Sequence, residues 1–338
     1  MMKWKSYYRR EFDLLGTRDY LNMVFSRAEK DTPLDSLINA GSILSFPHTA
    51  LCYAAMHHAR VIVSLYRAGV EQVITLGVLH VWGHPASSSL YRQAMDSEEE
   101  ASVRQEAFSV LAGAFWPADS LMRTPFGNIS VALAPLPESD VLRCDVQGLL
   151  AEEFSLDTFF SLLQYYYLLH DQPLPRIVPL YIGMTRDPLT GSFAIAGQVA
   201  AAVRSMITAK TAVVATGDVT HYGSGYSSQK TMAGMSTDAD ELKKTLRDEL
   251  DKVLTQTVDK REYRLAFPAL DKFLNNDQRY LLPVIAELLG NGAEHDVISF
   301  ELSDYSSINN VAAPCVVASS LVAYSPGIST LKRGGHEQ

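Results

Sequence analysis

Short apolar, β-branched runs alternate along this chain with longer segments of helical spacing, and several of the runs stop abruptly on a polar residue. Thr211–Thr216 is one such run. Gly217 breaks it, and Asp218, Thr220 and His221 follow before Gly223 and Gly225 close the loop. Residues 42–46 lead through Pro47 to His48, and 73–79 end on His80. Segments 176–183, 297–302 and 312–324 read as further strands, and 123–133 as a turn entering a strand. Helical spacing falls at 11–30, 49–69, 98–113, 150–164, 198–209, 235–257 and 280–289. Short strands that are apolar throughout suit a sheet covered on both faces. The alternation predicts an α/β fold, a three-layer α/β/α sandwich around a mostly parallel central sheet.

The pattern divides the chain into an N-terminal extension over 1–40 packed on the core, a single domain over 41–324 and a flexible tail over 325–338. Residues 86–123 read as an insertion in that domain, and nothing in 1–40 carries recognisable chemistry. With 47% apolar and 20% charged residues in 338, a large core can be buried. No apolar run is long enough for a membrane span, and the first residues lack the apolar segment of a secretion signal. Cys52, Cys144 and Cys315 have no paired spacing, which favours a reducing, cytoplasmic setting over a disulfide framework. A net charge of −9 without a dense basic cluster speaks against nucleic-acid binding. The expected partner is a small molecule or peptide, and a homo-oligomer is compatible with the composition.

Open α/β sheets place their chemistry at the carboxyl ends of strands. Three strand ends here deliver His48, His80 and the Asp218/His221 pair. Two imidazoles and a carboxylate make a facial set for Fe(II) with open positions for substrate and dioxygen. The same donors suit Zn²⁺ with a hydrolytic water. His48 and His80 are the candidate nitrogen ligands and His221 the candidate acid or base. Asp218 could orient His221, ligate metal or bind substrate. His84, in the turn 81–85, is a further candidate. His57 and His58 lie mid-helix on adjacent faces and read as structural or exposed. There is no Gly-x-Ser-x-Gly elbow and no phosphate-binding glycine loop after the first strand.

Five stretches in order resemble the Memo-like family, which shares its fold with the class III extradiol ring-cleaving (LigB-like) dioxygenases. They are Phe46-Pro-His-Thr-Ala50, Leu76-Gly-Val-Leu-His80, Thr124-Pro-Phe-Gly127, Ile177-Val-Pro-Leu-Tyr-Ile-Gly183 and Thr216-Gly-Asp-Val-Thr-His-Tyr222. The resemblance covers about 41–324. It implies a site capable of iron or copper, held by His48 and His80, with Asp218 and His221 beside it. Two positions depart from the family pattern. Its Glu-His-Ser-Ile-Glu motif falls on Glu153-Phe-Ser-Leu-Asp157, so Phe154 stands where the family has a histidine. Its Cys-Gly-Arg segment falls on Asp277-Gln-Arg279, so a carboxylate replaces a thiolate. With Asp277 as third ligand the set favours iron over softer metals. Phe154, Glu153, His84 and Tyr222 are the expected substrate-pocket residues. The resulting expectation is a non-haem iron, dioxygenase-like oxidoreductase acting on a small aromatic or peptide-derived substrate. The alternatives are a non-catalytic metal- or peptide-binding adaptor on the same fold and a zinc-dependent hydrolase.

Overall fold

The structure, a computed structural model, describes residues 4–131, 139–227 and 229–327. The expected tail therefore lies outside the described residues from 328 onward, as do 132 and 133 of the expected 123–133 strand.

The strands are β1 (Ile43–Phe46), β2 (Gln72–Val78), β3 (Ala114–Pro117), β4 (Leu121–Thr124), β5 (Gly127–Ser130), β6 (Leu142–Asp145), β7 (Arg176–Ile182), β8 (Thr211–Thr216), β9 (His221–Gly223), β10 (Glu294–Asp304) and β11 (Cys315–Ser325). Among the described residues, nine of them form one sheet in the order β10-β11-β1-β8-β2-β7-β3-β6, with β9 added alongside β11. β4 and β5 form a separate hairpin, where the sequence suggested only a turn and one strand.

Side chains along each central strand alternate between two cores, as the period of two in a strand requires. Leu44, Phe46, Val73 and Val214 belong to one core with residues of helices Arg18–Ala28, Leu51–Arg67 and Asp157–Leu169. Ile43, Ile74, Leu76, Val213 and Ala215 belong to the other with residues of helices Ala194–Arg204, Ala239–Leu254 and Leu282–Leu289. The layers are thus α/β/α. The sheet itself is mixed, which corrects the expectation of a mostly parallel one. β1/β8, β8/β2, β2/β7 and β3/β6 are parallel; β1/β11, β10/β11, β9/β11 and β3/β7 are antiparallel. Apolar runs report burial on both faces and carry no information about strand direction.

Three local differences matter for the site. The helix expected over 11–30 is two helices, Trp4–Leu15 and Arg18–Ala28, parted at Gly16. The stretch 86–123 is not wholly inserted, because β3 within it pairs with β7 in the main sheet. The helix expected at 198–209 runs from Ala194 to Arg204. His57 and His58 are both buried in the Leu51–Arg67 helix. His57 meets Ser299 Oγ, and His58 packs against Phe46 and Phe159. No helix among the described residues is long and apolar enough to cross a membrane.

Candidate metal centre

The parallel strands β1, β8 and β2 are adjacent, and their carboxyl ends meet at one place. His48 follows β1 through Pro47, Asp218 follows β8 through Gly217, and His80 follows β2. His221 begins β9, whose pairing with β11 carries it back over the same spot. Asp277 arrives from the 3₁₀ turn Asp277–Arg279. That turn is tied to the strand ends by the Asp277 N–H donating to the Asp218 carbonyl, 3.0 Å, and the His221 N–H donating to the Leu274 carbonyl, 2.8 Å. A Cβ at Gly217 would lie 2.3 Å from Gln278 Cγ, so only glycine lets the turn approach this closely.

The Nε2 atoms of all three histidines converge on one oxygen. Asp277 Oδ2 is 3.1 Å from His48 Nε2, 3.6 Å from His80 Nε2 and 3.7 Å from His221 Nε2. Asp218 Oδ2 is 3.7 Å from His48 Nε2 and 3.9 Å from His221 Nε2. The Asp218 Oδ1 atom accepts the His48 backbone N–H at 3.0 Å. His48, His80, Asp218 and Asp277 are buried, and His221 nearly so.

Second partners fix two of the rings. His221 Nδ1 is 2.9 Å from the Asn275 carbonyl, an acceptor only, so Nδ1 carries the proton and the Nε2 lone pair faces the cluster. His80 Nδ1 sits 3.1 Å from both Glu153 oxygens. Glu153 also accepts the backbone N–H groups of His80, Phe154 and Ser155 and meets His84 Nε2 at 3.0 Å. The acid, expected in the substrate pocket, is a buried hub beneath two histidines.

The charge balance is strongly negative. Asp218, Asp277 and Glu153 share this volume, and no lysine or arginine among the described residues pairs with any of them. Burial alone would depress His80, but the Glu153 and Asp277 carboxylates outweigh it and push its pKa up to about 10. Burial opposes ionisation of Asp277, yet His221, His48 and His80 hold it well below the usual carboxylate range. Asp218 moves the other way, raised by burial despite His48 and His221. Glu153 is held well below its ordinary value, burial being overcome by His80 and His84.

These residues fit a metal ion. Each of the sets His48/His80/Asp277 and Asp218/His221/Asp277 brings its ligand atoms within 4.8 Å of one another, with nitrogen and oxygen donors and a charge that a dication offsets. His80, His84 and Glu153 form a third set of the same dimensions. None of the three cysteines takes part in these clusters.

The cluster floors a cavity of about 710 Å³ walled by Trp4, Tyr8, Trp82, Phe154, Tyr226 and Tyr305. Phe154 stacks on the His80 ring at 4.8 Å and meets Tyr8 in a tilted contact at 5.1 Å. His84 lines the cavity, whereas Glu153 lies behind it. Tyr222 does not line it: its side chain is buried in the core that faces helix Ala239–Leu254, because β9 turns that side chain inward. Sequence reasoning missed Trp4, Tyr8, Tyr226 and Tyr305. Trp4, Tyr8 and Glu11 share one helical face, which was the available signal. Glu11 Oε2 and Tyr305 Oη accept the Leu51 and Ala50 N–H groups, closing the N-terminus of the helix that follows His48. No protein-family model and no curated protein matches the chain. Fold and site together define a layered α/β protein with a metal-capable histidine–carboxylate cluster.

Proposed function

We propose that the chain is a metal-dependent enzyme of the Memo-like kind, a non-haem iron, oxygenase-like protein acting on a small aromatic substrate. The observation that carries this reading is the convergence of three histidine Nε2 atoms on Asp277 Oδ2 at the floor of an aromatic-walled cavity. His48, His80 and Asp277 would hold the ion as a two-histidine, one-carboxylate set. A ferrous ion held there would supply the means to activate dioxygen beside the substrate.

The remaining residues divide the other tasks. Asn275 fixes the His221 tautomer, so Nε2 can take a substrate proton while Nδ1 keeps its own. Asp218, 3.9 Å away, stabilises the imidazolium that results. Glu153 holds the His80 ring and sets its basicity as a ligand. Trp4, Tyr8, Tyr305 and Phe154 orient a planar ring and keep water from the floor. The test is metal content by mass spectrometry on protein purified without oxygen, beside His48→Ala and His80→Ala. About one iron per chain, lost in both variants while they stay folded, is expected. Full metal retention in both variants would overturn the reading.

A second reading is a non-catalytic binding protein on the same fold. It is favoured by Phe154, which covers the His80 face where the resembling family carries a histidine. Failure to take up iron or zinc on add-back would select it, and stoichiometric zinc in place of iron would select the hydrolase.

A further inference from the structure

The cavity wall carries a pronounced asymmetry of charge. Besides its six aromatic rings it is lined by Asp218, Asp277, Glu152 and four histidines, and no lysine or arginine among the described residues lines it. The cations nearby do not line it and do not pair with its carboxylates. The Arg279 guanidinium stacks on Trp82 at 3.8 Å, forms an ion pair with Asp271, donates to the Asn276 carbonyl, and does not line the cavity. Lys5 donates its ammonium to the Ala151 carbonyl, on the peptide bond that leads into Glu152, and forms no ion pair with the Glu152 carboxylate.

An anionic tail at the outer wall would therefore meet no lysine or arginine among the described residues. A dication at the floor would be offset by Asp218 and Asp277, and Glu153 is taken up by His80 and His84, which leaves Glu152 at the wall without a counter-charge among the described residues. Glu152 is exposed, and among the described residues no ion pair or hydrogen bond engages its carboxylate. Aromatic faces attract cations through their quadrupole, and a cage of rings with one carboxylate is how ammonium groups are recognised. Repulsion of the wrong charge adds to the selectivity.

Resting on the proposed function only in taking this cavity as the substrate site, we propose that it selects an arylalkylamine, ring toward the histidine cluster and ammonium against Glu152, over the corresponding arylalkyl carboxylate. The Trp4, Tyr8 and Tyr305 faces pack the ring, and Glu152 takes the ammonium.

The test uses three probes that share one phenol ring and differ in the charge of the tail: tyramine, 4-ethylphenol and 4-hydroxyphenylacetate. A single phenol is chosen over a catechol so that chelation does not set the ranking. Binding to the full chain is followed by quenching of tryptophan fluorescence and by calorimetry, with metal loaded and after chelator treatment. Tyramine should bind at least tenfold more tightly than 4-hydroxyphenylacetate, with 4-ethylphenol between them. Glu152→Gln should cut the amine's advantage several-fold and leave 4-ethylphenol unchanged. Equal or tighter binding of the acid, no saturable binding of any probe, or an amine advantage untouched by Glu152→Gln would each overturn the proposal. Metal content measured on the same samples separates the two readings. Iron bound with the acid preferred sinks the amine proposal alone, and amine selectivity without metal uptake sinks the metal reading alone.

Discussion

Glu153 illustrates how much one side chain can organise. Its two oxygens collect three backbone N–H groups and two imidazoles, all buried. Glu153→Gln keeps the shape but puts an amide NH₂ where an oxygen accepted, so in either flip a donor faces a donor. We expect metal affinity to fall about 10- to 100-fold, the usual effect of losing a carboxylate behind a ligating histidine. Stability should drop by about 1–3 kcal/mol from the unpaired N–H groups. Metal titration and thermal melting of the variant check both numbers; wild-type affinity would remove Glu153 from the site. At this scale the strand-end residues His48, His80, Asp218 and His221 were legible because each follows a break in an apolar run. Asp277 was legible only through resemblance, since its own stretch reads as a polar loop. That loop is buried and held partly by a local bond, Asn276 Oδ1 taking the Gln278 N–H, and partly by a neighbour remote in sequence, Ser45, to which Gln278 Nε2 donates.

At the scale of elements, the site depends on how closely the Asp277–Arg279 turn meets the end of β8. Gly217→Ala would place a methyl 2.3 Å from Gln278 Cγ, and both neighbours are buried, so the turn must move. The expected result is a folded protein whose metal binding is reduced at least tenfold, with a modest loss in melting temperature, since displacing a ligand by an ångström matters more to coordination than to the core. Unchanged metal binding would mean that the turn yields without moving Asp277. Strand and helix positions were mostly legible, because hydrophobic period reports them. Direction was not: β10 and β11 run antiparallel over eleven residues each, and nothing in their apolar pattern distinguishes that from a parallel crossover. The N-terminal helix was seen but its task was not, because Trp4 and Tyr8 meet Tyr305 and Phe154 only through the tertiary fold.

For the whole molecule, that helix makes stability depend on pH through Glu11. Burial raises its pKa from 4.5 to about 7, although the Leu51 N–H pulls the other way. A carboxyl raised in the folded state binds its proton more tightly there than in the unfolded chain. Its contribution is therefore fully present below 4.5 and is lost as pH rises through 7. Glu11→Gln removes this dependence while keeping an acceptor for Leu51. The variant should be more stable than wild type at pH 8 by roughly 2–3 kcal/mol, the gap closing by pH 5. Melting curves across that range decide it, and a gap independent of pH would refute the assignment. The strand order has a consequence for how the molecule is made. β1 is finished at residue 46, yet its two neighbours are β8, which starts at 211, and β11, which starts at 315. At ribosomal speeds this leaves β1 unpaired on both edges for about ten seconds or more, and the metal ligands scattered over as much of the chain. The nascent polypeptide thus presents a bare apolar strand to chaperones until β8 has been made, and the metal centre can assemble only after Asp277 has followed.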